Sequence, residues 1–171
     1  IGKQEDGDES PYSINIDNLM FAGRNISVTH TAMSSTRVMA TCATIGQAVG
    51  TAAAIAIKHK VSPDGVYTHH LAELKQTLMD DDAYLPFNRR VVPEVTANAR
   101  LTSDAPNAED LRNGYDRPIG DDDNGAYIAL GSSVQYDFDE ETNVTCVRIV
   151  FDSDLDRLTL AEADRQRGML H

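Results

Sequence analysis

The sequence predicts an α+β chain with a helical first half and a β-rich second half, and three observations carry that prediction. Residues 38–57 form a stretch of about twenty residues without a charge, rich in Ala, Gly and Thr, which is long enough for a helix of several turns. A second run, after residue 62, places apolar residues at helical spacing. Beyond residue 94, short runs of alternating apolar and polar residues are separated by turn residues, as in strands.

The composition excludes several classes of partner. The 171 residues include 15 Lys and Arg against 27 Asp and Glu, giving a formal net charge of -12. A nucleic-acid interface needs a basic face, and so does a protein held electrostatically on an anionic membrane. With 41% hydrophobic and 25% charged residues, the chain has the composition of a globular protein. We therefore expect no nucleic-acid partner, no membrane attachment and a cytoplasmic location.

The two cysteines support the same location. Cys42 and Cys146 are far apart, and neither belongs to a CxxC pair or a Cys/His cluster. This spacing argues against a zinc site and against a disulfide framework. It predicts two buried free thiols in a reducing compartment.

The first half contains one predicted strand and one long predicted helix. Residues 18–23 are apolar and end at a glycine, which predicts a short buried strand. A polar loop follows over residues 24–36, and a helix is predicted over about 37–58. A membrane span needs about 20 apolar residues, but this stretch holds Gln47, three threonines and many alanines. A soluble helix that packs closely against a sheet or a ligand is favoured.

A second helix is predicted over residues 63–79. Ser62 is an N-cap residue, Pro63 suits the first helical position, and Asp64 faces the positive helix end. Because His69 and His70 are adjacent on this helix, their side chains point in different directions and make a poor pair of metal ligands.

The second half begins with a predicted linker over residues 84–93, which contains two prolines. Val134, Tyr136 and Phe138 alternate with polar residues and predict a strand, and residues 144–151 predict a second, more buried strand. Residues 94–171 are therefore interpreted as part of a β-sandwich.

Acidic residues in this half leave one alternative open. Residues 152–156 begin like an EF-hand loop, but Arg157 stands at the glycine position and Ala163 at the position of the bidentate acid, so an EF-hand is excluded. Together with residues 121–123 these acids either bind Ca²⁺ or form a solvated acidic rim. No metal-ligating residue is assigned.

The common nucleotide and hydrolase motifs are absent. The sequence has no GxGxxG, GxxxxGK[ST] or GxSxG, so it contains neither of the usual phosphate-binding loops nor a nucleophile elbow. Ser34, Ser35 and His30 could be drawn as a hydrolytic set, but nothing in their spacing requires it.

One segment carries a specific resemblance. Residues 18–57 contain three runs at fixed spacings, NLMFAGRNISVTH, STRVMATC and GQAVGTAAA. This segment closely resembles the C-terminal cofactor-binding segment of a family of bacterial FAD-dependent oxidoreductases. The family joins a doubly wound FAD domain to a substrate domain, often with an appended β-sandwich. The resemblance implies that residues 1–83 are the C-terminal strand and two helices of the FAD-binding domain. Residues 113–115, 117–118, 120–122 and 151–154 resemble a galactose-binding-like sandwich, which would then occupy residues 94–171.

The resemblance also implies site residues. Gly23 would let the backbone approach the flavin, Arg24 would donate to phosphate or ribityl oxygens, and the helix that begins near Arg37 would direct its amides and positive dipole end at the isoalloxazine ring. His30 would border that ring as a substrate-binding or proton-transfer residue. The full set of implied FAD contacts is Gly23, Arg24, Thr36, Arg37, Val38 and Met39.

Each of these residues also has a plain structural interpretation. Arg24 and Arg37 could be ion-pair partners in an acid-rich chain, His30 a hydrogen-bonded structural histidine, and Met39 ordinary helix packing.

The function implied is hydride transfer between a small-molecule substrate and FAD in a longer protein. Because the glycine-rich unit that holds the ADP half of FAD is missing, we expect a fragment that is inactive and binds FAD weakly or not at all. Its partner would be the N-terminal FAD domain of its own chain. Two alternatives stay open: a carbohydrate-binding or interaction β-sandwich module, and a homo-oligomer that covers the apolar helix.

Overall fold

The computed structural model describes residues 11–13, 15–119 and 123–151. Within these ranges the chain has five α-helices, one 3₁₀ helix and one two-stranded sheet, which confirms the α+β class. The elements are α1 (His30–Thr36), α2 (Met39–His59), α3 (Pro63–His69), α4 (Leu71–Asp80), α5 (Glu94–Asn98), β1 (Arg100–Ser103), the 3₁₀ helix (Ala108–Arg112) and β2 (Val134–Asp137). Residues 120–122 and 152–171, on which the Ca²⁺ alternative and part of the sandwich resemblance depend, lie outside the described residues.

The chain divides into two compact units, residues 1–137 and 138–171. The first unit contains every helix and strand of the described residues. In the second unit, residues 138–151 form neither a helix nor a strand and are exposed throughout. The prediction of a buried strand over residues 144–151 is therefore wrong. A strand needs a neighbour for its backbone groups, and the described part of this unit offers none.

Helix α2 is the longest element, with 21 residues. It ends where Lys60 adopts a left-handed conformation with φ 55°.

Helix α1 precedes α2 and occupies part of the predicted polar loop. Thr29 caps it, since the Thr29 side chain accepts from the backbone N–H of Ala32 at 3.3 Å. Because α1 has no buried residue, it left no apolar periodicity in the sequence.

The helix predicted over residues 63–79 is divided in two. Ser62 caps α3 as expected, since its hydroxyl accepts from the backbone N–H of Gly65 at 3.2 Å. At His70 the backbone leaves the helical region, with φ -126° and ψ 17°, and α4 begins after it. The apolar spacing continues across this break, so periodicity alone did not indicate it.

The strand predicted over residues 18–23 is reduced to one isolated antiparallel bridge between Tyr12 and Met20. The backbone N–H of Ser13 donates to the carbonyl of Leu19 at 2.9 Å. No other described segment pairs with residues 18–23, and an isolated segment cannot satisfy its backbone groups on both sides.

The core of the first unit lies between α2, α3 and α4. Leu74 of α4 and Val66 of α3 are the largest fully buried side chains of the described residues. Small and aliphatic side chains fill the space around them, in keeping with a chain that has no Trp. The buried cluster consists of Ala52, Ile55, Val66, Leu74, Leu78 and Ala83, with Met20, Val61, Leu71 and Leu85 packed against it.

Most of the α2 surface is left uncovered by this packing. By length and composition alone α2 is apolar enough to cross a membrane, and only a small share of its apolar stretch is buried. The face that carries Ala52 and Ile55 packs against α3 and α4. The soluble interpretation of this helix stays a prediction.

Residues 84–93, predicted as a linker, are held to their neighbours on both sides. The Arg90 guanidinium donates to Asp80 of α4 at 2.8 Å and to Asp116 at 2.7 Å. The Arg90 backbone N–H donates to the carbonyl of Gly114 at 2.8 Å, and Arg89 stacks over Tyr115 at 4.2 Å from the ring centroid. How the chain divides into folding domains around this segment stays a prediction.

Strands β1 and β2 pair antiparallel, with Arg100 opposite Asp137 and Leu101 opposite Tyr136. An ion pair of 3.1 Å joins the side chains of Arg100 and Asp137. The hydrogen bond from Gln135 and, after it, the one from Arg100 lower the pKa of Asp137 below its ordinary value. The strand predicted around Val134 and Tyr136 is thus present. One two-stranded sheet does not make a sandwich, so the sandwich and its galactose-binding-like character stay predictions.

Cysteine burial differs from the prediction. Both cysteines are free, but Cys146 is exposed and Cys42 is half-buried. Cys146 lies in the segment 144–151 that lacks a neighbouring strand, which explains its exposure.

We expect Gly114→Ala to destabilise the fold by about 1–3 kcal/mol. Gly114 has φ +82°, and an added Cβ would lie 2.6 Å from the backbone oxygen of Arg90. Gly125→Ala is the matched control, since nothing lies within 4 Å of its added Cβ, and it should change stability by less than about 0.5 kcal/mol. Urea unfolding measures both, and equal effects would contradict the contact of Gly114 with Arg90.

Candidate functional site

Four of the six residues implied to contact FAD form the junction between α1 and α2. Thr36 ends α1, Arg37 is its C-cap, Val38 is the N-cap of α2, and Met39 is the first residue of α2. The Thr36 hydroxyl donates to the carbonyl of Ala32 at 3.1 Å. The Thr36 hydroxyl proton is thus committed within α1, and the hydroxyl oxygen retains only its capacity to accept a hydrogen bond.

Within the described residues, no side chain caps the N-terminus of α2. Val38 has the extended conformation of an N-cap residue, but its side chain offers no acceptor, and the first turn contains no acidic residue. The first amides of a helix lack intrahelical acceptors, and the helix dipole places a partial positive charge at this end. Val38 is 52% exposed and Met39 87% exposed. This end of α2 is therefore suited to an anionic or carbonyl oxygen from a ligand.

Gly23 lies in the loop before α1, where the backbone requires glycine. Its φ is +92°, and an added Cβ would meet only the side-chain oxygen of Asn25, at 3.6 Å. The requirement is therefore conformational, because other residues rarely adopt this φ. Arg24 follows with an exposed side chain, and Arg37 is exposed as well.

His30 lies at the other end of α1 from the N-terminus of α2. It is the first residue of α1 and is exposed. Thr36 lies six positions further along α1, which corresponds to about 9 Å along the helix axis. The hydroxyls of Ser34 and Ser35 donate to the carbonyls of Thr31 and Ala32, at 2.7 and 3.2 Å. The structure thus commits both serines to α1 itself, which disfavours a serine nucleophile here.

The segment that leads to Gly23 is anchored on α3. The Tyr12 hydroxyl donates to Oδ1 of Asp64 at 3.0 Å, and the bridge from Tyr12 to Met20 brings Met20 onto the core. Burial of the ring, followed by the hydrogen bond and the charge of Asp64, raises the pKa of Tyr12 above its ordinary value of 10.0.

A second group of side chains, not predicted from the sequence, is a candidate site at the other end of α2. His59, at the end of α2, lies with Nε2 2.8 Å from Oε2 of Glu73, and Nδ1 of His70 lies 3.4 Å from the same oxygen. The two imidazole rings are stacked, with centroids 3.9 Å apart. His69, which is adjacent to His70 and was rejected as its partner in a metal pair, is not part of this group. The i, i+3 spacing of His70 and Glu73 was the local signal available, whereas His59 is brought in by tertiary packing.

Lys58 completes the surroundings of Glu73. Its ammonium donates to Oε1 of Glu73 at 2.7 Å. The hydrogen bond from Lys58 is the main cause that holds the pKa of Glu73 below its ordinary value; desolvation opposes it, and the contact with His59 adds to it. Glu73 therefore presents a charged carboxylate whose Oε2 faces the two imidazoles.

We expect Val38→Ser to stabilise the chain by about 0.5–2 kcal/mol, because a serine hydroxyl at this position can accept from the free amides of the first turn. Val91→Ser is the control, since Val91 is also an exposed valine, at 75% against 52% for Val38, and does not begin a helix. Thermal unfolding of both variants tests this. A gain no larger than that of the control would show that the α2 amides are already satisfied.

We also expect stability to fall at alkaline pH through Tyr12. Because its pKa is raised in the folded state, its contribution is fully present below the unfolded pKa of about 10 and is lost as the pH rises through the folded value. Tyr12→Phe should be less stable at neutral pH by about 1 kcal/mol and should lack this part of the alkaline loss. The alkaline loss is measured by the unfolding temperatures of both proteins between neutral pH and about pH 11, an interval that spans the ordinary tyrosine pKa. Parallel curves for the two proteins would contradict it.

The comparison with known proteins bears on the same segment. Residues 10–78 match the family described as FAD dependent oxidoreductase. The matched range includes the anchoring Tyr12, the Gly23 loop, the α1–α2 junction and most of α4, and it is less than half of the 171-residue chain. No curated protein and no solved structure matches the chain. The match supports the FAD resemblance for residues 10–78 and does not extend to the β-rich half.

Proposed function

We propose that this chain supplies the C-terminal part of the FAD-binding domain in an FAD-dependent oxidoreductase. The observation that carries the proposal is the uncapped N-terminus of α2 inside the range that matches that family. A helix end without a capping side chain or an acidic residue costs stability, and a bound ligand at this end would recover it.

The residues implied by the resemblance have the chemistry that a flavin site needs. Donor groups at the start of α2 would bind the electronegative edge of the isoalloxazine ring and favour extra negative charge there. The positive φ of Gly23 lets the backbone of the preceding loop run close to a ligand without a Cβ. Arg24 and Arg37 are exposed and would give charge-assisted hydrogen bonds to phosphate or ribityl oxygens.

Bound FAD would supply the two-electron redox chemistry, which we propose to be hydride exchange with a small-molecule substrate. The residues of the chain would hold and orient the ring. His30, exposed at the far end of α1, is our candidate for substrate binding or for proton transfer beside the ring.

The nucleotide half of the site would come from another part of the same protein. The 171 residues contain no GxGxxG loop, and this loop is what binds the pyrophosphate in dinucleotide domains. Gly46 and Gly50 of α2 have open space around them, with nothing within 4 Å of an added Cβ. We propose that this open face of α2 receives the N-terminal FAD domain. By itself the chain would then be inactive and would bind FAD weakly.

The test compares the 171-residue chain with the complete product of its gene, using flavin absorbance and fluorescence during titration with FAD. The complete product should retain flavin, and the chain alone should bind it far more weakly. Tight binding by the chain alone would contradict the proposal that the FAD site is divided between two parts of the protein. A complete product that retains no flavin would contradict the proposed FAD-dependent function.

Variants of the complete product then locate the site. Arg37→Gln should lower the affinity for FAD by about 10- to 100-fold, the loss expected for a charge-assisted hydrogen bond, and Gly23→Val should lower it further through backbone strain. Arg100→Gln is the matched control, because it removes one exposed positive charge from β1. Equal affinities in all three variants would show that flavin binds elsewhere.

A further inference from the structure

The cluster at the far end of α2 has the composition of a metal site. His59, His70 and Glu73 each offer one ligand atom, and these atoms all lie within 4.8 Å of one another. Two histidines and one glutamate are the ligand set of open zinc sites, in which a water completes the tetrahedron.

The dimensions also fit. Zinc–nitrogen and zinc–oxygen bonds of about 2.0–2.1 Å in a tetrahedron place neighbouring ligand atoms about 3.3 Å apart. Oε2 of Glu73 lies 2.8 Å from Nε2 of His59 and 3.4 Å from Nδ1 of His70. These two spacings are near that value, and the two imidazole nitrogens lie within 4.8 Å of each other. Because the two rings are stacked with an interplanar angle of 18°, binding requires the imidazoles to rotate out of the stack so that both nitrogens face the ion.

The backbone holds these side chains in place. His59 is in the last turn of α2, His70 is at the break between α3 and α4, and Glu73 is in the first turn of α4. Glu73 is followed by Leu74, which is buried in the core against α2. The ligands thus stand on helix ends that are already packed together, so little ordering is needed when an ion binds.

Lys58 orients the carboxylate. Its ammonium group donates a hydrogen bond to Oε1 of Glu73 at 2.7 Å, and Oε2 remains directed toward the imidazoles. Outer contacts of this kind fix the orientation of metal ligands. The lysine charge opposes that of a cation, so the affinity should be lower than in a buried zinc site.

We propose that His59, His70 and Glu73 bind one divalent transition-metal ion of the zinc type, which clamps the end of α2 to the break between α3 and α4. The site is independent of the proposed flavin function. Adjacent helical residues diverge, which disfavours His69 with His70 as a metal pair, but this reason does not apply to His59 with His70.

The experiment uses the full chain without a histidine tag, titrated with Zn²⁺ in a calorimeter and with Co²⁺ in a spectrophotometer. We expect one ion per chain, a Co²⁺ absorption spectrum of the tetrahedral type, and an unfolding temperature that rises with Zn²⁺. Absence of saturable binding up to roughly 1 mM, the range of weak affinities, would overturn the proposal.

Variants separate the cluster from adventitious binding. His59→Gln, His70→Gln and Glu73→Gln should each weaken Zn²⁺ binding by at least about tenfold, in line with losses seen even for outer-shell groups. His69→Gln is the matched control, since His69 is an exposed histidine next to the cluster, and it should bind as the unchanged chain does. An equal loss in the control, or no loss in the three variants, would overturn the assignment.

Should a variant fail to fold, the unchanged chain still decides the question. In NMR spectra, Zn²⁺ should shift the imidazole resonances of His59 and His70 and leave those of His69 in place. Shifts confined to His69 or to other histidines would overturn the proposal.

Discussion

The packing of α2 on α3 and α4 is the constraint on which the rest of the first unit depends. Ala52 and Ile55 of α2 meet Val66 and Leu74 across a core with no large aromatic side chain. Alanine at the contact lets the helices approach closely, and a core of this kind is sensitive to the loss of even one methylene group. This contact sets the rotation of α2 about its axis, and with it the residues that face solvent and the positions of both helix ends.

The two ends of α2 then acquire different properties. A helix of 21 residues is about 31 Å long. At one end Val38 leaves the first-turn amides without a cap, which favours electronegative ligand atoms. At the other end His59 is placed beside Glu73 of α4. A single packed helix thus determines both candidate sites, although neither site is buried in the core.

The sequence could predict features that depend on residues close together along the chain, and could not predict those that depend on contacts between distant segments. The start of α3 was predictable because Ser62 caps its own helix three residues away, and the candidate residues around Arg37 were found through a resemblance within one continuous segment. The break at His70 could not be seen, because the apolar spacing continues through it. The contact of His59 with Glu73 depends on the packing of α2 against α4, and the local sequence pattern does not predict which helices pack together. The segment 144–151 has the composition of a strand, but composition does not provide a neighbouring strand.

The glycines of α2 connect packing with the proposed function. In an exposed helix each glycine costs about 1 kcal/mol relative to alanine, and Gly46 and Gly50 have no described neighbour that would require them. Nothing within the described residues compensates for this cost. Close approach of another part of the protein would do so, because a surface without Cβ atoms allows two backbones to come near each other. The same face leads to the uncapped end of α2, so a domain that covered the glycines would also lie beside the amides that we propose as the flavin contact. The two unexplained costs of α2, at its glycines and at its N-terminus, would then have one common cause.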